Sequence, residues 1–92
     1  MEVNSLCNEA EAARKANDFK KSNDLLTSAA EKATSDDIGK IHNLMGLSYV
    51  QQKDYESAEK HWQLVANRRV QADDDQVGYA RLRLAYVKLH NG

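Results

Sequence analysis

The 92-residue chain contains no proline and only four glycines, Gly39, Gly46, Gly78 and Gly92. These two residues are the strongest punctuators of regular structure, so a chain this poor in both should be mostly helix broken by short turns. The apolar residues recur at steps of three and four, the period of one helix face. Val3, Leu6, Ala10 and Ala13 mark a first helix over about Glu2 to Ala16, with Ala12 and Ala16 widening its face. Phe19, Ser22, Leu25, Leu26, Ala29, Ala30 and Ala33 mark a second, and Ile38, Ile41, Leu44, Met45, Ser48 and Tyr49 a third. Tyr55, Ala58, Trp62, Val65 and Ala66 mark a fourth that should end near Arg69 or Val70, and a fifth should run from Asp74 to about His90. The expected class is all-α, with five helices in one domain.

The breaks carry their own signals. Asn17-Asp18 and Lys53-Asp54 read as turns in which the aspartate caps the following helix. Thr34-Ser35-Asp36-Asp37 offers hydroxyls and then carboxylates to the free N–H groups and positive dipole of a helix start. Asp73 and Gln76, three apart, can form a reciprocal capping box.

Composition narrows the function classes. The formal net charge of −1 gives no bulk electrostatic case for nucleic acid or an anionic membrane. The basic residues Arg68, Arg69, Arg81, Arg83 and Lys88 read as solvated faces. No apolar run approaches a membrane span, and Met1-Glu2-Val3-Asn4 lacks the start of a secretory signal. A cytoplasmic location is therefore expected, in keeping with the single cysteine, Cys7, which reads as a buried, inert thiol.

The chain also resembles itself. Asp18-Phe19 and Asp54-Tyr55 are matching acidic-aromatic pairs 36 residues apart. At the same offset Ser22 matches Ala58, Leu26 matches Trp62, Ala29 matches Val65 and Ala30 matches Ala66. A two-helix hairpin cannot bury its apolar face alone, whereas stacked hairpins can. Residues 39–72 resemble a tetratricopeptide repeat, whose period is about 34 residues. Met45, Gly46 and Tyr49 match the family's first helix, and Tyr55, Ala58 and Trp62 its second. There are departures: His42 stands for the family's tryptophan, Lys53 for its turn glycine and Val70 for its closing proline. A degenerate copy covers about 3–36, with Ala10 and Ala13 for the glycine and tyrosine, and a terminal helix over about 74–90 resembles half of a third.

That resemblance implies an α-solenoid of antiparallel hairpins acting as a non-enzymatic interaction module, adaptor or scaffold, with a protein or peptide partner on its concave face. By position, the lining would be Asn4, Asn8, Glu11, Arg14 and Lys15 from the first helix, Lys40, Asn43, Leu47, Val50 and Gln51 from the third, and Tyr79, Arg83 and Tyr86 from the fifth. The clamp with which some family members hold chaperone C-termini is not expected. Cys7, Glu11 and Leu44 stand where it needs lysine and asparagine, and only Arg83 matches.

The fifth helix has two apolar stripes on opposite sides. One holds Leu82, Ala85, Tyr86 and Leu89; the other holds Val77, Ala80, Leu84 and Val87. One should pack on the fourth helix. The second, Val77, Ala80, Leu84 and Val87, is expected to meet another copy, a partner or a further helix. Self-association through the terminal helix, or membership of a longer repeat protein, is thus the alternative to groove binding.

No constellation for chemistry is visible. His42, His61 and His90 lack the two-histidine spacing of a helical metal pair, although His42 and His61 could approach across one hairpin. The carboxylates fall in caps and on solvated faces, and no phosphate-binding glycine loop occurs. No enzyme activity, metal or cofactor is expected, nor nucleic-acid or membrane binding.

Overall fold

The computed structural model describes residues 3–91, apart from the side chains of Asp36 and Asn91. Five helices follow one another: α1 (Val3–Lys15), α2 (Phe19–Lys32), α3 (Ser35–Gln51), α4 (Tyr55–Ala66) and α5 (Asp74–Asn91). No strand occurs among the described residues. The expected start at Glu2 and the role given to the Asp36 side chain lie outside what is described.

Local chemistry sets most of these limits. Asn17 and Lys53 end α1 and α3 in the left-handed region, at φ 63° and 62°. Each is followed by an N–H that reaches back across the turn, Asp18 to the Ala13 carbonyl and Asp54 to the Tyr49 carbonyl, at 2.8 and 2.9 Å. The aspartate then starts the next helix: Asp18 accepts from the Lys21 N–H and Asp54 from the Ser57 N–H. The backbone angles at the two caps agree within two degrees (φ −92°, ψ 74° and φ −91°, ψ 76°). Asp73 and Gln76 form the expected box, with Asp73 N–H donating to Gln76 Oε1 at 3.1 Å and Gln76 N–H to Asp73 Oδ1 at 2.7 Å. Thr34 behaves differently. Its backbone holds the cap position, but its hydroxyl makes no capping bond.

Helix α4 stops at Ala66, short of the expected Arg69 or Val70. Arg68 takes a left-handed φ of 53°, and the Arg69 and Val70 N–H groups both turn back to the Leu64 carbonyl. This closes the helix without a glycine. The Arg68 guanidinium then holds the Ala72 carbonyl and the Asp74 carboxylate, fastening the turn to the start of α5.

The helices pack α1 on α2, α3 on α4 and α4 on α5, with α2 against α3 joining the first pair to the second. Helix α3 also touches α1 and α5 on either side of it. Leu6, Cys7, Ala10, Leu26, Ala29, Ile41 and Met45 form one buried cluster. Ala58, Trp62, Val65, Ala66, Ala80 and Val87 form the other, and Tyr49 packs against both. Small residues let the helices approach. The clearest case is Gly46, where a Cβ would lie 2.4 Å from Trp62 Cε2. The indole closes on the bare backbone of α3 at Gly46, and its N–H donates to the Asn43 carbonyl at 3.2 Å. Ala12 and Ala16, expected to widen the buried face of α1, are exposed instead.

The largest departure from the sequence reading is the orientation of α5. Val77, Ala80 and Val87 are buried and Leu84 is half-buried against the Trp62 cluster. This stripe, expected to lie outward as a second interface, is the one that packs on α4. The other stripe faces outward: Leu82 is 70%, Tyr86 42% and Leu89 85% exposed. Alanine and valine allow the close helix approach that a leucine row would prevent, so the smaller stripe faces inward.

Candidate functional site

Because α1 and α5 flank α3, the α3 surface between them forms the floor of an open groove of about 410 Å³. Its lining is Glu11 from α1, Lys40, Asn43, Leu44 and Leu47 from α3, and Asp73, Asp75, Gln76 and Tyr79 from the start of α5. The α3 residues sit at steps of three and four, so one helix face supplies the whole floor. Gly39 makes room for this arrangement: a Cβ there would lie 2.6 Å from Gln76 Oε1 and 3.0 Å from the Gln71 carbonyl.

The floor is apolar where Leu44, Leu47 and Tyr79 meet, and Tyr79 is held from both sides. Its ring meets Trp62 edge-on, with centroids 6.5 Å apart, and the Arg83 guanidinium lies over it at 5.1 Å. Polar groups surround the floor. Asn43 donates its amide to the Gln76 carbonyl at 3.2 Å. Its side-chain oxygen is buried and has no hydrogen-bond partner among the described residues. Glu11 is already bonded by Arg14, at 2.9 and 2.8 Å, and Arg14 also bonds Gln51 across the rim at 2.7 Å. The Glu11 carboxylate correspondingly holds the Arg14 proton more tightly than usual. With Glu11 so neutralised, Asp73 and Asp75 outnumber the single Lys40 on the rim, and the groove is acidic on balance.

Of the residues expected to line a concave face, Glu11, Lys40, Asn43, Leu47 and Tyr79 are brought together. Arg14 and Gln51 form the rim bond. Asn4, Asn8 and Lys15 are exposed on α1 outside the groove, and Val50 packs into the second core cluster. Arg83 serves through Tyr79, and Tyr86 points away, packed on His90 with centroids 4.4 Å apart. The sequence reading missed Leu44, Asp73, Asp75 and Gln76. Leu44 sits three residues before Leu47 and four after Lys40, a spacing that could have placed it here. The acids had been explained as helix-start residues, which Asp73 also is.

A second polar cluster lies inside the α3–α4 hairpin. His42 Nδ1 and His61 Nδ1 are 3.0 Å apart, so one neutral ring donates to the other. Their rings stack at 5.2 Å, and Tyr49 stacks on His61 at 5.4 Å. Burial lowers the His42 pKa. Burial, with help from the charges of His42 and Lys60, pushes His61 down to about 4. Among the described residues, no three His, Cys, Asp or Glu side chains are placed to hold a metal ion. Cys7 is buried, and burial raises its thiol pKa, so the thiolate form that would react is suppressed. No helix among the described residues is long and apolar enough to cross a membrane.

Comparison of the chain with protein-family models, with curated proteins and with solved structures yields no match.

Proposed function

We propose that the chain is a helical-repeat interaction module of tetratricopeptide type, and that the groove between α1, α3 and α5 binds a peptide segment of a partner protein. The observation that carries this reading is the open groove with an apolar floor of Leu44, Leu47 and Tyr79 under a net acidic rim. Apolar and aromatic anchors in a concavity with a few convergent polar groups are what peptide recognition uses. The repeat reading draws support from the two turns whose left-handed residues and capping aspartates recur 36 residues apart with nearly the same angles. The seating of Trp62 on Gly46 supports it further. The surplus of carboxylates selects a segment carrying a lysine or arginine beside an apolar residue. The cation would face Asp73 and Asp75, and the apolar side chain would cover Leu47.

Selection from a displayed peptide library tests this. The expected outcome is enrichment of sequences pairing a basic with an apolar residue, and loss of binding on Leu47→Glu with helicity unchanged. Enrichment of acidic sequences, or binding that survives Leu47→Glu, would overturn the groove assignment.

A further inference from the structure

The outward stripe of α5 is a surface the groove reading leaves unused. Leu82, Tyr86 and Leu89 are the large apolar side chains most exposed among the described residues, and all three lie on one side of one helix. Between them and the helix start lies Gly78, exposed, with no atom within 4 Å of the position a Cβ would take, apart from its sequence neighbours and the helix's own backbone. A glycine inside a helix weakens it. Gly39 and Gly46 are explained by the neighbours that crowd them, and nothing among the described residues explains Gly78. Bare helix backbone beside an exposed leucine row is suited to close approach by a second helix.

Charge selects which helix. The first turn of α5 carries Asp75 beside Asp74, which Arg68 already holds, and its last turn carries Lys88 and His90. Laid antiparallel on itself, this helix sets each acidic end against a basic end and opposes the two helix dipoles. A parallel pairing would put like against like at both ends. Antiparallel overlap of residues 74–90 of the two copies puts the twofold axis at Leu82. The two Leu82 side chains then meet, each Tyr86 lies opposite the open Gly78 of the other copy, and Asp75 lies opposite Leu89, next to His90.

We propose that two copies of this chain pair through the Leu82–Tyr86–Leu89 face of α5, antiparallel, with Tyr86 of each seated over Gly78 of the other. One helix from each copy makes an interface smaller than the ~1,600 Å² of a standard complex, which suits a reversible dimer forming in the micromolar range. Asp75 sits on the rim shared by the groove and the paired face, while the groove floor of Leu44 and Leu47 belongs to α3.

Sedimentation equilibrium of the full chain from about 1 µM to about 1 mM tests the pairing across that affinity range. The expected result is a concentration-dependent dimer, weakened at least tenfold by Leu82→Glu. Both Leu82 and Gly78 are exposed, so their variants should keep the helicity of the parent, which circular dichroism checks. Gly78→Leu separates a fitted interface from a merely sticky patch: it adds apolar surface yet should weaken the dimer, because Tyr86 loses its seat. Leu82→Cys should form a disulfide between copies on mild oxidation, since the axis brings the two positions together while Cys7 stays buried. A monomer over the whole range, a dimer indifferent to Leu82→Glu, or tighter association in Gly78→Leu would each overturn the proposal.

Discussion

A methyl group added at Gly46 should have opposite effects depending on what occupies position 62. In an unobstructed helix, replacing glycine by alanine gains about 1 kcal/mol. At Gly46 the new Cβ would lie 2.4 Å from Trp62 Cε2 and 2.6 Å from Nε1, where ordinary contact begins near 3.4 Å. The indole would have to retreat by about an ångström, and it has little room to do so. It is fully buried, tethered to the Asn43 carbonyl and braced by Tyr79. Overpacking of this kind costs about 1–3 kcal/mol. A rigid, tethered ring falls toward the upper end, so Gly46→Ala should lose about 2 kcal/mol net. Trp62→Leu removes the obstruction at its own cost of about 2–3 kcal/mol, within the ~5 kcal/mol or more expected for a domain of this size. In that background Gly46→Ala should become stabilising by up to about 1 kcal/mol. Urea unfolding of the four proteins, followed by helical circular dichroism because the tryptophan is lost, gives the coupling directly. A value near 3 kcal/mol is expected. A coupling below about 0.5 kcal/mol, or stabilisation by Gly46→Ala in the parent, would refute the packing argument.

Three other outcomes follow from the local geometry of single residues. Gly78→Ala, measured at concentrations where the chain is monomeric, should stabilise the fold by about 0.5–1 kcal/mol, because the open position meets no clash; destabilisation would mean that the surroundings of Gly78 are wrongly drawn. Lys53→Gly should stabilise by about 1 kcal/mol by relieving a left-handed conformation at φ 62°, read from the urea midpoint, and a loss would contradict the turn. The His42–His61 pair should make the fold acid-sensitive. The unfolded chain takes up protons near pH 6.5 whereas folded His61 resists until about 4. Stability is therefore full above 6.5 and declines as pH falls through that window, by on the order of 1–2 kcal/mol after allowing for partial exposure. His61→Phe keeps a ring against Tyr49 and should flatten this limb; an unchanged slope would assign the acid sensitivity elsewhere.

The five helices were legible because their ends are written in short-range chemistry. Asp18, Asp54 and the Asp73–Gln76 box each act within three residues of themselves, so spacing alone finds them. The end of α4 was not legible, since Arg68 adopts a conformation usually left to glycine and carries no signal of it. The rotation of α5 was not legible either. Its two apolar stripes balance, and the choice between them depends on how closely α4 can approach, a tertiary quantity. The preference for the valine–alanine side follows from packing distance, which hydrophobic pattern does not encode. Five of the nine lining residues, Glu11, Lys40, Asn43, Leu47 and Tyr79, were found by position, while Asp73 and Asp75 were hidden by their local role at a helix start. The contact between His42 and His61 could be named as an option, but its 3.0 Å geometry depends on the hairpin register.

The claim that α1, α3 and α5 together form a peptide-binding groove is tested most directly by backbone amide chemical shifts, recorded while a selected basic–apolar peptide is titrated into the protein. Saturable shifts are expected along residues 40–47 and 73–79, with α2 and the outer face of α4 unaffected. Shifts confined to α2, or to the Leu82–Leu89 face of α5, would contradict it.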